Sequence, residues 1–276
     1  MSIIQAIVLS ALQGFTELFP FSSLGIQAIV PHILNWHVNT AAPQFLPFVV
    51  ALHTGTALAL IVFFWRDWVR LVDAFFRSLN TGLRNIRRNP DEKTIWLLIV
   101  ATIPAGLVGL AFKHSFAGLL GIPMLAAVLL IVNGIMMWLG DRFVYHADEN
   151  IPHMSFWQAV GVGVAQILAL FPGMSRSGVT MVGGLLFGLS YETAARFSFL
   201  MATPIILAAG LVELKKLHAH GGLLGPSVVG FIVAGIVAYL SVRFLMRYFE
   251  THRLRTLALI SVAAGVVFTG LLALHV

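Results

Sequence analysis

Two of the apolar stretches along this chain are interrupted near their middle by short polar segments. Each interruption divides its stretch into two pieces, at residues 3–18 and 22–34 and at residues 155–171 and 175–189. None of these pieces reaches the ~20 residues that a helix needs to cross a bilayer. Irregular backbone at membrane depth is tolerated only where protein or a polar cavity surrounds it. The pattern therefore predicts two re-entrant hairpins, each made of two half-helices.

The remaining apolar stretches are long enough to cross a membrane. They are residues 46–65, 95–112, 118–139, 195–213, 226–247 and 256–275. We therefore predict one all-α integral membrane domain over residues 1–276, with six full transmembrane helices and two re-entrant hairpins.

The order of hairpin and spans occurs twice. At a constant offset of 152 residues, Leu18-Phe19-Pro20 aligns with residues 170–172, Ser23 with Ser175, and Phe45 with Phe197. A persistent offset indicates a duplicated unit. The predicted repeats cover approximately residues 1–139 and 155–276.

The composition excludes a soluble protein and several kinds of chemistry. Hydrophobic residues make up 59% of the chain and charged residues only 10%, against about 25% charged in soluble domains. The chain has no cysteine, which excludes disulfides and cysteine-based catalysis. The N-terminus lacks the basic start and cleavage site of a signal peptide, so we expect none to be removed.

The positive charge is concentrated beside a predicted span, and this sets the expected orientation. Seven of the 17 Lys and Arg residues lie between Arg66 and Lys93. This stretch is predicted to be a basic cytoplasmic loop, since cytoplasmic loops carry an excess of positive charge, and nucleic-acid binding is not expected. Both termini then lie on the outer face, and the two hairpins enter from opposite faces, which makes the repeats inverted.

Each polar break begins a half-helix whose free N–H groups and positive dipole end point towards the midplane. Two such ends facing one another predict an anion site. Arg176 adds a forked donor suited to phosphate oxygens. Hydroxyl groups that could assist it are those of Ser175, Ser177 and Thr180.

The first break carries a carboxylate, Glu17, four residues after Gln13 and so on the same helix face. A carboxylate beside an anion needs a positive partner. Either Arg176 pairs with it, or a divalent cation bridges it to phosphate oxygens. Oxygen ligands without sulfur favour Mg²⁺ or Ca²⁺. His53, inside the span 46–65, is the one histidine for which we predict a role.

These two breaks resemble the signature motifs of the undecaprenyl-diphosphate phosphatase family, the bacitracin-resistance type. The resembling segments are Gln-Gly-Phe-Thr-Glu-Leu-Phe-Pro-Phe-Ser-Ser-Leu-Gly at residues 13–25 and Pro-Gly-Met-Ser-Arg-Ser-Gly at residues 172–178. The resemblance implies a cation-dependent hydrolase of the bacterial inner membrane that removes the terminal phosphate of undecaprenyl diphosphate and so recycles the carrier lipid for cell-wall synthesis.

The resemblance also implies roles for individual residues. It associates Gln13 and Glu17 with the metal and with catalysis. Ser22 and Ser23 match its serine pair, of which Ser23 is a proposed nucleophile. The diphosphate-binding residues it implies are Ser175, Arg176 and Thr180.

One position departs from the family pattern. Where the family has a histidine after Ser-Ser-x-Gly, this chain has Ile26, which cannot move a proton. We hypothesise that Glu17 or a metal-bound water acts as the base, with His53 as a substitute. Two other functions are left open, a polyprenyl-phosphate transporter or flippase without hydrolysis and a small-anion carrier. The oligomeric state is also open, with a homodimer as one option.

Overall fold

The structure, a computed structural model, describes most of the chain, and the regular secondary structure of the described part is helical apart from one isolated β-bridge between Glu149 and Leu189. The described residues are 1–36, 38, 45–86, 88–112, 116, 118–119, 121–143, 149–219 and 224–274, without the side chains of residues 46, 209 and 211–219. The helices are α1 (Ile3–Thr16), α2 (Ser23–Ile33), α3 (Phe45–Phe63), α4 (Trp65–Asn80), α5 (Pro90–Ala111), α6 (Pro123–Arg142), α7 (Phe156–Ala165), α8 (Arg176–Leu186), α9 (Tyr191–Ala219), α10 (Leu224–Phe249) and α11 (Arg255–Leu274).

Four of these helices, α5, α6, α10 and α11, are long and apolar enough to cross a membrane, and α3 with α4 would make a fifth span if counted together. This confirms an all-α, multi-pass membrane protein. The division into six full spans and two inverted hairpins stays a prediction.

The prediction of a basic loop over residues 66–93 is wrong for its first half. Residues 65–80 form α4, which is bent by 86° from α3. The helix forms because the stretch has no glycine or proline and its charged residues recur every three to four positions, as at Arg66, Arg70, Asp73 and Arg77. A count of charged residues along the sequence detects the polar stripe of this helix but not the apolar stripe beside it.

In both hairpins a serine caps the first half-helix, and another serine caps the half-helix that follows the break. Ser2 caps α1 in a capping box with Gln5, and Ser155 caps α7 in the same way with Gln158. The side chain of a cap accepts a hydrogen bond from a free N–H group of the first turn, which fixes where the helix starts.

The second half-helices are also capped alike. Ser22 accepts a hydrogen bond from the Gly25 N–H group, and Ser175 accepts one from Gly178. These caps lie 153 residues apart, as do the caps of α1 and α7. The structural correspondence of the caps therefore differs by one residue from the constant offset of 152 predicted, which paired Ser175 with Ser23.

The half-helix before each break packs against a long helix from the other half of the chain. Helix α1 contacts α10, and α7 contacts α5. A Cβ atom at Gly14 would lie 2.9 Å from Val237 Cβ, and one at Gly163 would lie 2.9 Å from Pro104 Cδ. Small residues allow such close approach of helices in membranes, and the result is that the two breaks meet in the interior.

Candidate active site

The two hairpin breaks are hydrogen-bonded directly to each other. The Gly173 N–H group donates to Ser22 Oγ at 2.9 Å, and Ser177 Oγ donates to the Phe19 carbonyl oxygen at 3.2 Å. All four residues are buried. The structure therefore brings together the two stretches that the sequence analysis singled out.

Asn133 of α6 links the same two breaks from a third side. Its side-chain amide donates to the Pro20 carbonyl oxygen at 3.0 Å, and its Oδ1 atom accepts from the Ser175 N–H group at 3.0 Å. Asn133 is fully buried, and it also donates to Ser261 Oγ at 3.2 Å. Sequence reasoning missed this residue, although an amide inside an otherwise apolar span is a signal of a functional position.

Glu17 is the centre of the site. It caps the C-terminal end of α1 and is only 6% exposed. Its Oε2 atom accepts hydrogen bonds from Gln13 Nε2 at 3.0 Å and Ser23 Oγ at 2.7 Å, and lies 3.2 Å from His53 Nε2. Its Oε1 atom accepts from Arg176 Nη2 at 2.8 Å. All of the predicted catalytic residues, and the predicted metal ligands, therefore meet at one carboxylate.

The pairing of Glu17 with Arg176 is the first of the two alternatives left open by the sequence. Arg176 begins α8 and also donates to the Ser198 carbonyl oxygen at 3.3 Å. Its side chain is mostly buried, at 16% exposed. A buried pair of this kind is retained because either charge alone would be costly in the interior.

His53 is placed to supply a second positive charge when it is protonated. Its Nδ1 atom lies 2.9 Å from the Val49 carbonyl oxygen and its Nε2 atom faces the Glu17 carboxylate. Both ring nitrogens therefore face acceptors, which only the doubly protonated imidazolium satisfies. One carboxylate between the imidazolium and the Arg176 guanidinium leaves a net charge of about +1, which suits an anionic ligand.

Ser23 and Glu17 have the geometry of a nucleophile and its base. The hydroxyl donates to the carboxylate at 2.7 Å, within the 2.6–3.2 Å over which a base can take a proton. Ser23 is the first residue of α2, directly after the cap Ser22. Its backbone position places the hydroxyl at the positive end of a half-helix, where a developing negative charge is stabilised.

The hydroxyl groups of the second break form two pairs. Ser175 Oγ lies 3.0 Å from Ser177 Oγ. Thr180 Oγ1 donates to the Arg176 carbonyl oxygen and lies 2.7 Å from Ser198 Oγ. Ser198 was not predicted, because a serine inside an apolar span is often only a packing residue. These bonds hold α8 and α9 in register around Arg176, and diphosphate binding by the predicted hydroxyls stays a prediction.

Two side-chain oxygens at this site retain acceptor capacity that a divalent cation could use, Gln13 Oε1 and Glu17 Oε1. Gln13 Oε1 is buried without a hydrogen-bond partner in the described part of the chain. Glu17 Oε1 accepts only the hydrogen bond from Arg176 among the described residues. No cluster of three His, Asp or Glu side chains occurs among those residues, so an ion here would complete its coordination from ligand or water oxygens, as Mg²⁺ commonly does.

Ile26 offers no proton-transfer group in the first turn of α2. Its side chain is buried, and its N–H group donates to the Ser22 carbonyl oxygen at 2.9 Å. The nearest imidazole contact to Glu17 comes instead from His53 on α3.

The chain is similar to known proteins over its whole length. A family model described as bacitracin resistance protein BacA matches residues 6–267. A protein of Burkholderia ambifaria named undecaprenyl-diphosphatase 2 is 48% identical over 278 residues, covering 100% of this chain and 99% of the relative. A protein of Mycolicibacterium paratuberculosis named undecaprenyl-diphosphatase is 44% identical, covering 96% of this chain and 95% of the relative. The predicted resemblance is confirmed, and the chain belongs to the bacitracin resistance protein BacA family.

Proposed function

We propose that this chain is an undecaprenyl-diphosphatase of the bacterial cytoplasmic membrane, which releases the terminal phosphate of undecaprenyl diphosphate and leaves the monophosphate carrier lipid. The observation that carries the proposal is the buried carboxylate of Glu17, which contacts Ser23, His53 and Arg176. Relatives of nearly the same length are named for this activity.

The substrate binds with its diphosphate at the two hairpin breaks and its prenyl tail between helices, open to the bilayer. Arg176 holds the terminal phosphate through its forked N–H groups. The N–H groups that begin α2 and α8 face the same anion. The positive charge of the site matches the charge that spreads over the phosphate oxygens during transfer.

In one route Glu17 accepts the Ser23 proton while the serine oxygen attacks the terminal phosphorus, and a water then hydrolyses the phosphoserine, which releases inorganic phosphate and returns the proton to Ser23. In the other route Ser23 orients a water that attacks the phosphorus directly, and Glu17 accepts the proton of that water. The bond between that phosphorus and the bridging oxygen breaks, and the lipid monophosphate leaves. His53, as imidazolium, is the group that can protonate the leaving oxygen. This assigns His53 the role of an acid rather than that of the substitute base expected from the sequence.

A Mg²⁺ or Ca²⁺ ion would be held by Glu17 Oε1 and Gln13 Oε1, with diphosphate oxygens and water as its other ligands. When bound, such an ion would neutralise phosphate charge. Both ends of the Gln13 amide would then be used, because Nε2 donates to Glu17 and Oε1 would bind the cation.

We further propose that the hairpins enter from opposite faces as inverted repeats and that both termini lie on the outer face. The similar capping of α1 and α7, and of α2 and α8, supports the repeat. The packing of α1 on α10 and of α7 on α5 supports it also.

The test is release of inorganic phosphate by purified protein supplied with undecaprenyl diphosphate, with and without a chelator. We expect release from the wild type, loss with chelator and restoration by Mg²⁺ or Ca²⁺. Glu17→Gln should lower turnover by about 10²–10⁴-fold, the usual worth of a general base. Asp73→Asn, which removes an exposed carboxylate of α4, is the matched control and should retain activity.

A wild-type protein that binds the lipid but releases no phosphate would overturn the proposal in favour of transport without hydrolysis. Full activity in Glu17→Gln would overturn the assignment of the base.

A further inference from the structure

A cavity of about 640 Å³ opens at the bend between α3 and α4, and it shares no residue with the site around Glu17. It is lined mainly by Phe64, Trp65, Arg66, Asp67, Arg70 and Arg196. A cavity of this volume falls in the range of small-molecule sites, about 300–1,000 Å³.

The cavity lining is positively charged. Asp67 is the one carboxylate in it, and this residue accepts hydrogen bonds from Arg70 and Arg196 at 2.6 Å each. Three guanidinium groups against one carboxylate leave a net charge of about +2. Arg66 has no ion-pair partner among the described residues, so its charge is available to a ligand.

Aromatic rings orient two of the guanidinium groups. Arg196 lies over the ring of Phe64, with 5.7 Å between the guanidinium carbon and the ring centroid, and Arg66 lies over Trp65 at 5.5 Å. These cation–π contacts hold the charges at the wall of the cavity. Trp65 is itself 55% exposed, so the cavity opens beside an aromatic surface rather than into the protein interior.

The helix that carries the cavity has three distinct faces. One packs on the protein, through Leu71, Ala74 and Ser78. A second face exposes only apolar side chains, those of Trp65, Val69, Val72, Phe76 and Leu79. The third bears the charged residues Arg66, Arg70, Asp73 and Arg77.

A helix at 86° to a preceding apolar helix, with apolar and charged stripes side by side, lies in the membrane interface. Its apolar stripe then contacts acyl chains, and its charged stripe lies at the depth of lipid headgroups. Arginine is suited to phosphate at this depth because its fork binds two oxygens at once.

We infer that this cavity binds the phosphodiester headgroup of an anionic phospholipid, whose acyl chains cover the exposed apolar face of α4. Arg66 and Arg70 bind the phosphate, while Arg196 and Asp67 fix the shape of the site. This site is independent of the proposed hydrolysis, because it requires neither Glu17 nor the prenyl diphosphate.

The experiment is native mass spectrometry of the purified full-length chain, equilibrated with equal amounts of phosphatidylglycerol and phosphatidylcholine in detergent. We expect preferential retention of phosphatidylglycerol by the wild type. The Arg66→Gln, Arg70→Gln double variant should lose this preference by an order of magnitude, on the order of fivefold for each arginine at a membrane surface. Arg77→Gln, on the same charged stripe but outside the cavity, is the matched control and should keep the preference.

A double variant that retains phosphatidylglycerol as well as the wild type would overturn the inference. So would displacement of the lipid by millimolar inorganic phosphate, since the site would then serve a soluble anion. If the double variant does not fold, the single variant Arg66→Gln decides, because Arg66 is exposed and its loss breaks no ion pair in the described part of the chain. Hydrolysis by the wild type is measured in parallel in lipid-free detergent, so that loss of lipid selectivity and loss of activity are distinguished.

Discussion

At the scale of single residues, the site depends on a guanidinium whose shape matters as much as its charge. Arg176 reaches Glu17 with one terminal nitrogen and the Ser198 carbonyl oxygen with the other. Arg176→Lys keeps a positive charge but loses the fork. We expect turnover to fall about 100-fold, comparable with the loss of one transition-state donor, measured as phosphate release at saturating substrate. Near-normal turnover would argue against a phosphate contact by this residue.

The Ile26 position tests how the chain works without the family histidine. In the structure His53 reaches Glu17 from the neighbouring helix. We therefore expect His53→Gln to lower turnover by about 10²-fold or more, the usual worth of a positioned acid, while Ile26→His changes wild-type turnover little. The measurement is phosphate release by the two single variants and the double variant.

If the wild type is inactive and Ile26→His activates it, the hypothesis that His53 replaces the missing family histidine is wrong. Restoration of the His53→Gln variant by Ile26→His would support it, because an imidazole at the family's position would then replace the one lost from α3.

Asn133 is predicted to be a positioning residue. Its replacement by leucine leaves the Pro20 carbonyl oxygen and the Ser175 N–H group without their partner. Each unpaired buried group costs about 1–3 kcal/mol, so Asn133→Leu should lower the thermal unfolding midpoint and turnover together. Ser261→Ala, which removes only one neighbour of Asn133, should have a smaller effect on both. Unchanged turnover in a folded Asn133→Leu protein would contradict the role.

At the scale of elements, the second break is fixed by a glycine that no other residue can replace. Gly173 has a φ of +102°, and a Cβ atom there would lie 2.6 Å from Leu129 Cβ and closer still to the Ala126 carbonyl oxygen. Gly173→Ala should therefore reduce stability by a few kcal/mol, since backbone strain and overpacking each cost about 1–3 kcal/mol. The thermal midpoint measures this.

Gly82 is the matched control for that substitution. It has a φ of +60°, but a Cβ atom there would meet nothing within 4 Å. Gly82→Ala therefore carries the backbone strain alone and should cost less. Equal decreases of the thermal midpoint in the two variants would show that close packing against α6 adds no cost to the Gly173 substitution.

The helices that the sequence predicted well are those with an unambiguous apolar run. The predicted span 226–247 lies within Leu224–Phe249, and the predicted span 256–275 agrees with Arg255–Leu274 to within one residue at each end. Helix α4 was missed because its apolar and charged residues are mixed along the sequence and separate into two faces only when the segment is helical. The density of charged residues alone therefore favoured a loop. The 3.6-residue period of the apolar positions would have indicated an interfacial helix.

At the scale of the whole molecule, the meeting of the two breaks was predictable, but some of the side chains that support it were not. Proline, glycine and an isolated charge in each apolar stretch sufficed to predict that the breaks meet, with the pairing of Glu17 and Arg176 as one of two alternatives. Asn133 and Ser198 became part of the site only through tertiary packing, since neither is near a break in sequence. The predicted correspondence of Ser23 with Ser175 was one residue off, because the two breaks differ in length on either side of their proline.

The pairing of Glu17 with Arg176 also has a consequence for how the protein is made. The two residues are separated by 159 positions, which a ribosome covers in roughly 10 to 30 seconds at ~5–20 residues per second. Throughout that interval the first hairpin has no guanidinium to compensate its carboxylate. Until the second hairpin arrives, His53 is the positive partner that the first half of the chain itself supplies to Glu17, and the contacts that close the first hairpin on the second are missing. A nascent chain arrested before Arg176 should accordingly leave its first hairpin accessible to water-soluble probes, and release of the full chain should end that accessibility.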